Sequence, residues 1–424
     1  MTEKLDLMPG VTLRTYPDRR FKQGCLTFQI VRPMRAEEAA MNALFPAVLL
    51  RGTEKHRDLR DITLRLDELY GASVGALVRR VGDYQTTGLS CGFIEDRFCI
   101  PGDQVLAPMI DFIRELLFEP ILEEGGFCKS FVESEKKNLI ATIESELNDK
   151  RVYAMGRMVK TMCKADSYGV PRLGDAESAA AIDPVTLYEH YQKILKESRI
   201  DIFYVGSAKL EDIAAMVMPL LHEIDRNYLP LPGQTPFRDA GGEDVVEEMD
   251  VTQGKLCMGF VTPITNRDQN FVPMQLMNTI FGAGMTSKLF VNVREKLSLC
   301  YSVGSGYYGS KGIVTVSAGI DFDKEQQTRE EILRQLKAMQ EGDISAQELT
   351  AAKEAILSSL RGTHDSPGSI EGFYATAALS GLQLTPAEYM EAIYAITAHQ
   401  VVAAAQTLTL HTTYFLKGKT HELF

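Results

Sequence analysis

No apolar run in this 424-residue chain approaches the roughly 18 residues of a membrane-spanning helix, so no membrane association is expected. The opening MTEKLDLMPG is charged and lacks the apolar core that a secretory signal needs, which points to a cytoplasmic protein. Paired cysteines are missing too: the seven (Cys25, Cys91, Cys99, Cys128, Cys163, Cys257, Cys300) are scattered with no Cys-x-x-Cys. An odd, unpaired set fits reduced and mostly buried thiols better than a disulfide framework or a zinc knot. Positive charge is in deficit, 45 Lys and Arg against 57 Asp and Glu for a net −12, which argues against nucleic acid as a partner. Local metal pairs are also wanting. Of His56, His190, His222, His364, His399, His411 and His421, no two lie within five residues of each other, so no metal and no cofactor are expected. Gly282-Ala283-Gly284 has neither the lysine of a phosphate loop nor the later glycine of a dinucleotide fingerprint. Its glycines fit a strand-to-helix turn with positive φ.

What the chain does have is ordinary globular composition, 45% hydrophobic and 24% charged, in a length that suits two or three domains. Residues 227–247 carry three prolines, three glycines and an acidic run, and read as a linker between residues 1–226 and 248–424. The two parts repeat each other loosely. Strand-like GCLTFQIVR (24–32) answers GKLCMGFVT (254–262), and Ser90-x-Gly92 answers Ser317-x-Gly319 in hairpin-like segments. Late strands, 200–208 and 412–418, close each part. Met41, Leu44, Phe45, Val48 and Leu49 recur at helical spacing. Asp183-Pro184 reads as a helix start, and Ser345/Glu348 and Thr385/Glu388 have capping-box spacing. Together these predict an α+β protein of two homologous sandwich domains, each a mostly antiparallel sheet with helices on one face.

The segment FGAGMTSKLFVNVREKLSLCYSVGSGY (281–307) resembles the C-terminal signature of the pitrilysin family of metallopeptidases, and the likeness extends over nearly the whole chain, including a helix over 131–150. Active members of that family carry His-x-x-Glu-His: two imidazoles on one helix face hold zinc, the glutamate activates water, and a distant glutamate completes the site. Here the same helix ends in Leu50-Arg51-Gly52-Thr53. Counting back from Thr53, the histidine positions hold Ala43 and Ala47 and the glutamate position holds Pro46; residues 39–52 contain no His, Asp, Glu or Cys. A mid-helix proline also predicts a kink. The distal glutamate position falls on Ala141 or Thr142, and the neighbouring Glu133, Glu135, Glu144 and Glu146 read as a solvated helix face. Glu189-His190 ends a similar pattern, but its first histidine position is Thr186.

The resemblance implies that Arg294 and Tyr301 are the C-domain pair that reaches a peptide carbonyl, with Gly282 and Gly284 brushing the substrate. A guanidinium and a phenol are suitable fixed donors toward developing negative charge. It further implies a catalytically silent chain that pairs with a zinc-bearing homologue as a heterodimer, or with itself as a homodimer, to enclose and process peptides. The alternatives are a structural or peptide-binding protein without a proteolytic role, and a zinc peptidase with atypical ligands.

Overall fold

The computed structural model describes residues 2–146, 148–239 and 241–419. In chain order the first part carries β1 (Glu3–Met8), β2 (Val11–Pro17), β3 (Gln23–Pro33), α1 (Ala36–Leu49), α2 (Leu59–Glu68), β4 (Ser73–Val81), β5 (Tyr84–Ile94) and α3 (Leu106–Phe118). There follow a short ribbon, β6 (Leu122–Glu123) and β7 (Gly126–Phe127), then α4 (Lys129–Ser145), α5 (Lys150–Met162), α6 (Ala176–Ala180), α7 (Pro184–Glu197), β8 (Arg199–Gly206) and α8 (Leu210–Leu221). The later part carries β9 (Asp244–Met249), β10 (Gly254–Val261), α9 (Phe271–Phe281), a π-helical segment (Leu289–Lys296), β11 (Ser302–Tyr308) and β12 (Ile313–Ile320). It ends with α10 (Glu325–Gln340), α11 (Ala346–Gly362), α12 (Pro367–Ser380), α13 (Pro386–Ala395), α14 (Ala398–Gln406) and β13 (Thr409–Gly418).

The strands form a six-stranded sheet, β1-β2-β8-β3-β5-β4, and a five-stranded sheet, β11-β12-β10-β13-β9. Removing β1 from the first leaves the same order in both. Each has a single parallel pair, β2 with β8 and β13 with β9, and is otherwise antiparallel. The repeat read from the sequence is exact in register. Thr27 faces Ser90 as Cys257 faces Ser317, and Cys25 faces Gly92 as Lys255 faces Gly319. The α+β expectation therefore holds.

The chain folds into two compact units, and neither is continuous in sequence. The first comprises residues up to Glu144, Val170–Gly233 and His364–Thr376; the second comprises Ser145–Gly169, Gln234–Thr363 and the chain from Ala377 on. This bears on the expectation that helices cover one face of each sheet. In the first unit the main core lies between one sheet face (Leu26, Phe28, Ile30, Ile202) and helical residues such as Leu44, Phe45, Ile113 and Ile194. Cys25, Phe203 and Val205 point the other way and pack on Ile370 of α12. In the second unit Phe260 meets Phe281 of α9 edge-on, while Cys257 on the opposite face joins Met158 and Met162 of α5. A Cβ at Gly259 would meet Met162 Sδ at 2.6 Å, so glycine is what lets α5 lie this close. Among the described residues, each sheet thus has its helical layer on one face and one helix, α12 or α5, on the other. That is why β3 and β10 are buried almost end to end instead of alternating.

Local signals were sound guides to helix starts. Asp183 caps α7 with Pro184 at its first position, and Ser345/Glu348 and Thr385/Glu388 both form capping boxes. The helix expected over 131–150 stops at Ser145 instead, and Asp149 caps α5. All seven cysteines are free, and all but Cys99 are buried. Among the described residues no helix is long and apolar enough to cross a membrane.

Candidate functional site

Helix α1 is buried nearly all round, more widely than its apolar stripe predicted, and its burial takes in Glu38, Asn42, Ala43 and Pro46. Glu38 is neutralised by Arg32, whose guanidinium donates to both carboxylate oxygens at 2.7 Å. Pro46 lies inside the helix and has no N–H for the carbonyl of Asn42, four residues back. The Thr87 hydroxyl of β5 donates to that carbonyl at 2.5 Å, so the gap made by proline is closed from the sheet. The Asn42 side chain is equally well provided for. Its amide donates to Gln85 Oε1 at 2.9 Å, and its oxygen lies 2.7 Å from His190 Nε2. Gln85 in turn donates to the carbonyls of Ala39 and Arg172. Burial pushes the pKa of His190 down to about 4, so at neutral pH its imidazole is uncharged and donates from Nε2.

At the three zinc-motif positions the helix presents the methyl groups of Ala43 and Ala47 and the ring of Pro46, none of which can ligate a metal or carry a proton. Ala141 and Thr142 lie on the exposed side of α4, and the Thr142 hydroxyl donates to the Asn138 carbonyl at 2.8 Å. Glu135 is not a solvated carboxylate as the sequence suggested; it is largely buried and pairs with Arg51 at 3.3 Å. The Gly-Thr end of the motif persists as structure. A Cβ at Gly52 would come within 2.6 Å of the Arg57 carbonyl. Thr53 donates to the buried carboxylate of Glu115, which also lies 2.6 Å from His56 Nδ1.

The remaining candidates belong to the second unit. Gly282 and Gly284 lie in a turn joining α9 to the π-helical segment, so this is a helix-to-helix connection and not the strand-to-helix turn expected. Gly282 (φ −153°, ψ 0°) is neither helical nor extended; a Cβ there would strike Ser305 Oγ at 2.7 Å, whereas Gly284 (φ +159°) faces open space. Arg294 stacks on Phe290, 4.7 Å from the ring centre, and pairs loosely with Glu295 at 3.7 Å. Tyr301 is 59% exposed and donates to Asp321 at 2.9 Å, a hydrogen bond that raises its pKa.

Among the described residues no group of three or more His, Cys, Asp or Glu is gathered as a metal site would require; His421 lies outside them. A Gly-x-Ser-x-Gly string does occur at Gly71–Gly75, but Ser73 opens β4 and donates weakly to the Gly92 carbonyl at 3.4 Å. A strand follows it, not the helix that a nucleophile elbow requires. The polar network around Asn42 was invisible in sequence, because its members are 43 and 148 residues from it.

Comparison with known proteins agrees with this geometry. The family model for the peptidase M16 inactive domain matches residues 181–356. The probable inactive metalloprotease YmfF of Bacillus subtilis (strain 168) is 30% identical over 409 residues, covering 96% of each chain. A conserved protein from Enterococcus faecalis V583 superimposes with a TM-score of 0.92 at 27% identity over 99% of both chains. A peptidase M16 inactive domain from Pseudomonas fluorescens shares the fold, with a TM-score of 0.81 at 18% identity over 99% of this chain and 98% of that one.

Proposed function

This chain belongs to the M16, or pitrilysin-type, peptidase family and is a non-catalytic homologue within it, and from that premise we propose that it pairs with a zinc-bearing homologue to complete a peptide-processing chamber. The observation that carries the reading is an asymmetry of loss. The three positions of the helical zinc motif hold only methyl groups and a proline ring, with Ala43 and Pro46 buried beside the hydrogen-bonded Asn42, whereas Arg294 is partly exposed and Tyr301 exposed, its hydroxyl on Asp321. A chain that still receives peptide has a use for both: the guanidinium can donate to carbonyl oxygens of a substrate whose cleavage is performed by the partner's metal, and so can the phenol once it leaves Asp321. In this role Gly282 and Gly284 keep side chains away from the path of the peptide.

The test is to purify the chain and a family homologue carrying His-x-x-Glu-His from the same genome, and to assay hydrolysis of peptide libraries by each and by the mixture. The mixture is expected to exceed the homologue alone in kcat/KM, with no hydrolysis by this chain. Arg294→Ala and Tyr301→Phe are each expected to lower kcat/KM of the mixture about tenfold to a hundredfold. Chelator-sensitive hydrolysis by the pure chain, or a homologue indifferent to its presence, overturns the proposal.

A further inference from the structure

An open pocket of about 890 Å³ in the second unit is lined by Asp149, Lys150, Arg151, Asp250, Gln253, Lys255 and Ser302, and the last three of these surround Gly319 of the second Ser-x-Gly. Lys255 is unusual among these, being only 8% exposed. Among the described residues its ammonium has no carboxylate within ion-pairing distance, and its hydrogen bond goes to the side-chain oxygen of Gln253. Arg151 is already committed to Asp149 at 3.0 Å. A buried ammonium without a counter-charge is costly, and burial, reinforced by Arg151, lowers its pKa.

Gly319 lies against three of these lining residues. A Cβ there would meet Ser302 Oγ at 2.9 Å, Gln253 Oε1 at 3.1 Å and Lys255 Nζ at 3.4 Å, so glycine leaves vacant the point on which three polar groups converge. The first unit supplies an internal control. Its equivalent ladder positions are Gly92, Ser73 and Cys25, and a Cβ at Gly92 would meet Ser73 Oγ alone, at 3.1 Å. The duplicated corner has therefore gained a cation in one unit and not in the other.

We propose that this corner binds a single carboxylate, with Lys255 Nζ and Ser302 Oγ donating to it above Gly319. The lining carries Lys150, Arg151 and Lys255 against Asp149 and Asp250, a net single positive charge that a monoanion matches. Phosphate is disfavoured because a dianion exceeds that net charge. A free peptide C-terminus and a small carboxylic acid offer the same group, and the site needs no partner chain.

Calorimetric titration of the full chain with acetate, with N-acetyl-dialanine and with its C-terminal amide tests this. Saturable binding of the acid but not the amide is expected, with affinity lowered on the order of tenfold or more by Lys255→Met and by Gly319→Ala. Binding of the dipeptide acid alone assigns the site to peptide ends, and equal binding of acetate assigns it to small acids; both support the proposal. Equal affinity of Lys255→Met and wild type, tighter binding of inorganic phosphate, or no binding of either carboxylate overturns it. Gly319→Ala leaves the lysine in place and decides the matter should Lys255→Met fail to fold.

Discussion

Pro46 is the residue at which the loss of a catalytic glutamate has its clearest structural consequence. Its ring takes away the N–H that would satisfy the Asn42 carbonyl, and Thr87 supplies a hydroxyl in its place. Thr87→Val is therefore expected to cost about 1–3 kcal/mol, the price of a buried unpaired carbonyl. In a Pro46→Ala background, where the helix can close its own bond, the same change should cost distinctly less; a double-mutant cycle by urea denaturation reads the difference. An additive cycle would mean that Thr87 does not compensate for Pro46. His190, in the same network, makes a prediction with a definite sign. Its folded pKa is depressed from 6.5 to about 4, so the unfolded chain binds the proton more readily. Its stabilisation is complete above the unfolded pKa and is lost as pH falls from about 6.5 through 4, on the order of 3 kcal/mol. His190→Gln keeps a donor for Asn42 but cannot titrate, so its stability should fall less than wild type over that window when both are melted at stepped pH. Sequence showed at once that Ala43 and Ala47 cannot bind metal, since that is a property of side-chain type. It could not show that Asn42, Gln85, Thr87 and His190 share one network, since that is a property of tertiary position.

Element starts were legible for the same reason that residue chemistry was: a cap is local. Asp183, Ser345 and Thr385 each bond to backbone N–H groups two or three residues ahead, and sequence spacing captures that. The end of α4 was misplaced because Glu146 and Leu147 are good helix formers and only the cap at Asp149 marks the next start. The docking of α12 was not legible at all. It depends on Glu371, 1% exposed, which accepts from Arg79 at 2.8 and 2.9 Å and from Gln29 at 2.6 Å on the sheet face of the first unit. Removing Glu371 leaves the buried Gln29 amide and the part-exposed Arg79 without their acceptor, so Glu371→Ala should destabilise by about 1–3 kcal/mol. Arg79→Met with Glu371→Met should cost less than Glu371→Ala alone, because both charges leave together. Equilibrium denaturation of the two variants distinguishes an ion pair that anchors α12 from an incidental contact.

At the scale of the molecule, the duplication is plain in sequence and the exchange of helices is not. Strand order, parallel pairs and the Ser-x-Gly register follow from repeated local patterns, and these survive in the residues themselves. The exchange leaves no such mark. Residues 150–162 precede the Pro- and Gly-rich segment yet cover the sheet of the second unit, and residues 364–376 follow it yet cover the sheet of the first. A fragment of residues 1–233 therefore leaves Cys25, Phe203 and Val205 uncovered, and a fragment of residues 234–424 does the same to Cys257, Tyr414 and Leu416. Apolar sheet surface of this kind promotes association. Each fragment expressed alone is expected to aggregate, while co-expression of the two should give a soluble one-to-one complex that co-purifies through a tag on either piece. Should each fragment instead be monomeric with its own cooperative melt, the covering helices would be dispensable and the sheets would need only their main helical layers. Co-purification would show that the covalent linker is not what unites the two halves of the sequence, and that the exchanged helices suffice.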